Sequence, residues 1–436
     1  MKTTRPIASM MTAIATLSLT FATPAVLSTQ AHASPDSFYQ YTGNTPLEAF
    51  EPGAILNTRV LPYHVAGGQT AVTAVQLLYR TNDAQHRPSV NVTSVLKPAG
   101  GTDPTKAVAY QSYYDSLNPE DSPSRSIAGD VSFGGLIVAS EASSIDTLLG
   151  QGYTVIISDT QGQQANFAAG PEYGMNTLDS IRAATRSPDT QLNADTRIGL
   201  MGYSGGAIAT NWAAALAPRY APEVNAQLIG AAEGGVLVKP SRNLRYVDGS
   251  TGWSGVAAMA IIGIARAYDL DLSPYLSAYG AQLLATINNA SIANVVFQYP
   301  GLTWRQIVKP EYADPDSIVP LSNAVEKTNL GIAPTPTIPM FIAQGAHGEL
   351  EGTDGTRPAI GPGDGVMIAG DVRSLARQYC DTGNPSIRYQ QHDALSHTTA
   401  QAVWTLDAFE WLNNRFAGIP APTTCGAIAP GNPLTS

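Results

Sequence analysis

Charge is scarce in this sequence: Asp, Glu, Lys and Arg make up 13% of its 436 residues, against 44% apolar. Disordered chains carry the opposite balance, so the composition is that of a folded protein, long enough for one elaborated domain or two. Basic residues are scarcer than acidic ones, 24 against 34, which gives a formal net charge of −10. An acidic chain with no basic patch among aromatics is a poor match for phosphate backbones, so nucleic acid is excluded as an expected partner. Cysteine is nearly absent. Cys380 and Cys425 stand alone, too few and too far apart for a redox CxxC or a zinc site.

Long apolar runs are confined to the amino end. Lys2 and Arg5 precede the uncharged stretch 7-IASMMTAIATLSLTFATPAVL-27, and 31-AHAS-34 supplies the small residues a signal peptidase accepts. Ser, Thr and Pro dilute the run and a cleavage site follows it, so residues 1–33 are expected to be a removable signal peptide rather than a membrane anchor. Cleavage before Ser34 takes away two positive charges and no acid, leaving a net charge of −12. The most apolar later stretch, 256-VAAMAIIGIA-265, ends at Arg266 and is too short to span a bilayer, so no transmembrane segment is expected after signal removal. The expected location is extracellular or periplasmic. In an oxidising compartment the two cysteines are expected to form one disulfide, worth about 4 kcal/mol in the loop-entropy account.

Along the chain, residues 34–60 read as an extended arm. The alternation in 72-VTAVQLLYRTNDAQHRPSVNVTSVLKP-98, with Asn82 and Asp83 between, predicts an antiparallel hairpin. Strand and helix then alternate. Segments 153–159, 196–203, 226–235, 338–346 and 386–394 read as strands, and 174–187, 205–217, 367–380 and 398–418 as helices. That rhythm predicts an α/β fold with a mostly parallel sheet covered on both faces. Residues 236–335 break the rhythm with helix-like pieces at 255–268, 273–288 and 303–308. They are expected to form a helical insertion over the carboxyl ends of the strands, with 34–235 and 336–436 as the core.

One serine stands out. The segment 198-IGLMGYSGGAIATNWAA-214 runs from an apolar strand through Gly202-Tyr203-Ser204-Gly205-Gly206 into an Ala-rich helix. G-x-S-x-G alone is weak in a chain with 40 glycines, but strand–turn–helix is the context of a nucleophile elbow. There the turn lifts the hydroxyl clear of the sheet, and the N–H of Gly205 points at a developing oxyanion. Serine needs a base, and histidine is scarce, with six in the chain. His32 leaves with the signal, and His64 and His86 precede the serine. His347, His392 and His397 follow it in the order Ser–acid–His that this architecture uses. His397 is preferred, because 393-DALSHTTAQ-401 is expected as the loop between last strand and last helix; His392 is expected on the strand. Four carboxylates qualify as the acid by position: Glu349, Glu351, Asp354 and Asp364.

The chain resembles the secretory lipase family of α/β-hydrolases, the fungal lipase A type, over most of its mature length. The likeness lies in 79-YRTNDAQHRP-88, 109-AYQSYYDS-116, 154-TVIISDTQGQQANFAAGPEYG-174, 202-GYSGGAIATNWAA-214, 219-RYAPEV-224, 361-GPGDGVMIAGDVRSLARQYC-380 and 393-DALSHTTA-400. The resemblance implies an α/β-hydrolase fold with Ser204 as nucleophile, His397 as base and Asp364 as acid. It also implies an oxyanion hole at Gly205 and Asp159, a Cys380–Cys425 disulfide, and a lid over residues 236–335. The loop 346–363 looks longer than the family norm, which keeps Glu349 open as the alternative acid, and 115–126 holds no cysteine for a second disulfide. The expected activity is hydrolysis of carboxylic esters, triacylglycerols foremost, through an acyl-enzyme on Ser204. No metal or cofactor is called for. The expected substrate is a lipid or small ester, met by the apolar lid at an oil–water interface. A short-chain carboxylesterase or an acyltransferase on the same fold is the alternative, and a binding protein on a hydrolase scaffold the reading from another class.

Overall fold

Nine strands form one sheet in the computed structural model, which describes residues 36–435. The expected signal peptide and its cleavage site lie outside the described residues. In chain order the strands are β1 (Ile55–Val65), β2 (Gly68–Asn82), β3 (Pro88–Lys97), β4 (Lys106–Gln111), β5 (Thr154–Ser158), β6 (Arg197–Tyr203), β7 (Leu228–Gly234), β8 (Met340–Gly345) and β9 (Ile387–His392). Their spatial order is β1-β2-β3-β5-β4-β6-β7-β8-β9. The first three strands and the β3–β5 pair are antiparallel, and every pair from β5 to β9 is parallel.

The two-residue period of the strands sorts side chains to opposite faces. Ala107 and Ala109 of β4, Ile156 of β5, and Ile198 and Leu200 of β6 pack with the helices Gly170–Arg186, Gly205–Tyr220 and Ala369–Asp381. Val108 and Tyr110, Val155 and Ile157, and Met201 and Tyr203 face the other way, onto Ala142–Gly150 and His397–Phe416. With both faces covered, the central strands are buried along their length, which is why they read as unbroken apolar runs.

Part of the expected arm, from Ile55 on, is instead a strand, hydrogen-bonded to β2 from Ile55↔Tyr79 to Val65↔Gly68. β1 is a sheet edge, half-buried along most of its length, so no alternation marks it. Between β7 and β8 the chain is helical and carries its own apolar cluster. Two of its helices, Pro240–Val247 and Val319–Glu326, were not signalled by the sequence pattern. The disulfide joins Cys380 to Cys425, with the Cα atoms 5.6 Å apart. Beyond it, Ile428 and Leu434 are buried in the core. Among the described residues, no helix is long and apolar enough to cross a membrane.

Candidate active site

β6 ends at Tyr203 and the helix Gly205–Tyr220 starts two residues later, so Ser204 alone carries the turn. Its backbone takes φ 54° and ψ −120°, a region that costs a non-glycine residue about 1–3 kcal/mol and persists where the surroundings over-determine it. The surroundings are tight: a Cβ on Gly202 would lie 2.3 Å from the Gly206 carbonyl oxygen, and one on Gly206 would lie 2.1 Å from that of Gln111. The motif needs its glycines because strand, turn and helix close on one another there.

His397 is the first residue of the helix His397–Phe416, not part of a loop as expected, because Ser396 and Thr399 form a capping box that starts the helix there. Its Nε2 lies 2.8 Å from Ser204 Oγ, and its Nδ1 lies 2.8 Å from Asp364 Oδ2. Asp364 is fully buried and held on both oxygens. Gln344, on β8, donates to Oδ2 at 2.8 Å, while the N–H groups of Val366 and Met367 donate to Oδ1 at 3.0 and 2.7 Å. The three groups come from the carboxyl ends of β6, β8 and β9, the edge where open α/β sheets build their sites. Of the other three carboxylates, Glu349 and Asp354 are exposed. Glu351 is buried and bonded to Trp253 and Thr398. His392 sits at the end of β9, half-buried, and His347 just before the turn Gly348–Glu351.

Burial works against a charged His397, but the Asp364 carboxylate, through charge and hydrogen bond, outweighs it and holds the imidazole above its ordinary pKa.

Gly205 is as expected the first residue of its helix, where the N–H has no partner within the helix. Asp159 is not beside it. Its N–H donates to Val92 O at 3.0 Å and its carboxyl accepts from Ser124 N and Oγ at 2.8 and 2.5 Å. The strand order explains the correction: Asp159 follows β5, whereas the neighbour of β6 is β4, with Gln111 level with Gly202. The residue at the serine is therefore Asp115, four positions beyond the end of β4 and missed by the sequence reading, although it lies in the quoted stretch 109-AYQSYYDS-116. A Cβ on Gly205 would be 1.9 Å from Asp115 Oδ1. Burial pushes the Asp115 carboxyl up to about 8, against a smaller pull from His397. At neutral pH it is mostly protonated and can donate a hydrogen bond.

Ser204, Gly205 and Asp115 line an apolar cavity together with Leu237, Val256, Ile261, Ile264, Leu321 and Val325. Most of that wall belongs to the helical insertion. Among the described residues, no group of three His, Cys, Asp or Glu is placed to hold a metal ion.

The profile of the Secretory lipase family matches residues 130–424, about two-thirds of the sequence. The chain belongs to the secretory lipase family. Lipase 6 of Candida albicans is 31% identical over 407 residues, covering 90% of this chain and 83% of its own length. Among solved structures, Candida antarctica lipase A in its closed state superposes with a TM-score of 0.78 at 26% identity, covering 91% of this chain and 89% of the other. The rice cell wall degrading esterase LipA from Xanthomonas oryzae shares the fold, with a TM-score of 0.62 at 14% identity and coverage of 84% and 100%. This secretory lipase is a secreted carboxylic ester hydrolase with the α/β-hydrolase fold.

Proposed function

We propose that the enzyme hydrolyses acyl esters through an acyl-enzyme on Ser204, with His397 as base, Asp364 as its orienting acid, and the Gly205 N–H and protonated Asp115 as oxyanion donors. One observation carries this reading: the unbroken hydrogen-bonded chain Ser204–His397–Asp364, 2.8 Å at each link, whose serine lines an apolar cavity. As Ser204 Oγ attacks the ester carbonyl, its proton passes to His397 Nε2, and Asp364 stabilises the imidazolium from Nδ1. The carbonyl oxygen becomes an oxyanion facing Gly205 and Asp115, where one donor is typically worth about 3–4 kcal/mol. His397 then protonates the departing alcohol, and water repeats the sequence to release the acid.

Residues 236–335 act as a lid in this reading, since they supply most of the apolar wall. That wall suits acyl chains met at an oil–water interface. The test is hydrolysis of emulsified triacylglycerol and of a dissolved short-chain ester by wild type, Ser204→Ala, Asp364→Asn and Glu349→Gln, with organophosphonate labelling of Ser204. The first two substitutions abolish turnover and the third leaves it intact. Activity on the dissolved ester alone would make the enzyme a short-chain esterase, and absence of both activity and labelling would make it a binding protein.

A further inference from the structure

A second buried carboxyl group stands behind the histidine. Glu351 closes the short turn Gly348–Glu351, in the long loop between β8 and Asp364, and is 6% exposed. Its Oε1 accepts from the N–H and the hydroxyl of Thr398, at 2.9 and 2.6 Å, the residue after His397 in the first turn of its helix. Its Oε2 accepts from Trp253 Nε1 at 2.9 Å. The indole of Trp253 in turn packs against the imidazole of His397, ring centroids 5.3 Å apart and planes at 81°. The fit leaves no slack: a Cβ on Gly365, next to Asp364, would fall 2.9 Å from Glu351 Oε2 and 3.0 Å from Trp253 Nε1. Glu351 thus receives three donors and shares no proton with any acceptor, as a carboxylate does.

We propose that Glu351 is a positioning residue for the general base, fixing the His397 ring from two sides and setting the pH at which it becomes competent. One side is the helix start, because a carboxylate that accepts from Thr398 N holds the first turn and favours its positive end. The other is the indole, whose bond to Oε2 keeps it against the imidazole. Charge adds to geometry. The groups facing His397 are Asp364 at Nδ1, Glu351 behind Thr398, Asp115 across the serine, Trp253, and Tyr203, whose hydroxyl donates to the His397 carbonyl at 2.7 Å. Glu351 favours the imidazolium after Asp364 and ahead of Asp115. Trp253 also lines the cavity and immediately precedes the insertion helix Ser254–Ala267, so the insertion takes part in holding the base.

The inference rests on His397 acting as base, and its test is the pH profile of kcat/KM on a dissolved ester. Glu351→Gln removes the charge and keeps the shape. The acid limb is expected to move down by about one pH unit, with kcat about tenfold lower and KM within about twofold of wild type. Glu351→Asp keeps the charge and shortens the reach, so the limb returns to its wild-type position while kcat stays depressed. Glu349→Gln, on an exposed side chain two residues away, changes neither. An unmoved limb in Glu351→Gln, a loss confined to KM, or an Asp variant displaced like the Gln variant would each overturn the proposal. If Glu351→Gln is not recovered folded, Trp253→Phe, which removes the indole donor and part of the ring, must lower kcat by a larger factor than it changes KM; wild-type kcat there overturns it equally. A wild type without ester hydrolysis would remove the base assignment itself, whereas an active wild type with an unmoved limb removes this inference alone.

Discussion

Asp115 shows how one side chain sets a pH window. Burial beside Gly205 pushes its carboxyl up to about 8. Below that value it donates to an oxyanion, and above it a carboxylate repels one. His397, held above its ordinary pKa, must be neutral to accept the serine proton, so activity rises as pH climbs through its titration. The expected profile is a bell whose alkaline limb lies near 8 and belongs to Asp115. Asp115→Asn keeps a donor and loses the titration, so the alkaline limb should disappear from kcat/KM. Asp115→Ala should cost about 10²–10³ in kcat, as loss of one oxyanion donor does. At this scale the sequence spoke unevenly. Ser204 announced itself through glycines that the packing requires, and His397 through the rarity of histidine. Asp364 was one carboxylate of four until the family resemblance chose it, because what distinguishes it is its hydrogen bond to His397 Nδ1, which spacing does not encode. Asp159 was named through the family resemblance, but which strand lies beside β6 is a matter of tertiary pairing.

Elements were legible in proportion to their burial. The strands β5 and β8 are buried throughout and β6 from Ile198 on, and they stood out as apolar runs, while β1, half-buried at the sheet edge, shows no alternation. The insertion was legible as a region and in the helices Ser254–Ala267, Ala278–Ile287 and Trp304–Ile307, but the short, proline-started helices Pro240–Val247 and Val319–Glu326 have too few turns to build a clear period. The cysteines were paired by scarcity, and their bond ties the helix Ala369–Asp381 to the tail. Past the bond, Leu434 is buried and its carbonyl accepts from Lys239 at 3.2 Å, while the Pro433 carbonyl accepts from Arg242 at 2.7 Å. Replacing both cysteines with serine is expected to cost about 2–4 kcal/mol, read as a lower denaturant midpoint. The same change should lower kcat on emulsified substrate more than on a dissolved ester, because the tail grips the first helix of the insertion.

The whole molecule holds more buried acid than its chemistry uses. Asp115, Glu141, Glu172 and Glu233 are each pushed up to about 8, with burial as the largest cause. In the unfolded chain such groups ionise near their ordinary values of about 4. Between those limits the folded state holds protons that the unfolded state has released, so stability falls as pH rises from about 4.5 toward 8. His397, raised in the folded state, adds a contribution of the same sign, lost as pH rises through its titration. Thermal unfolding by calorimetry should give a higher Tm at pH 5 than at pH 8. Glu233→Gln should flatten that slope, because Asn211 already donates to Glu233 Oε1 at 2.7 Å and an amide oxygen can take the same bond.

The buried tail has a practical corollary. Leu434 is anchored in the core only two positions before Ser436. An affinity tag or an immobilising support fused to this tail would tug on the strap that holds the helix Pro240–Val247, whose residues line the cavity.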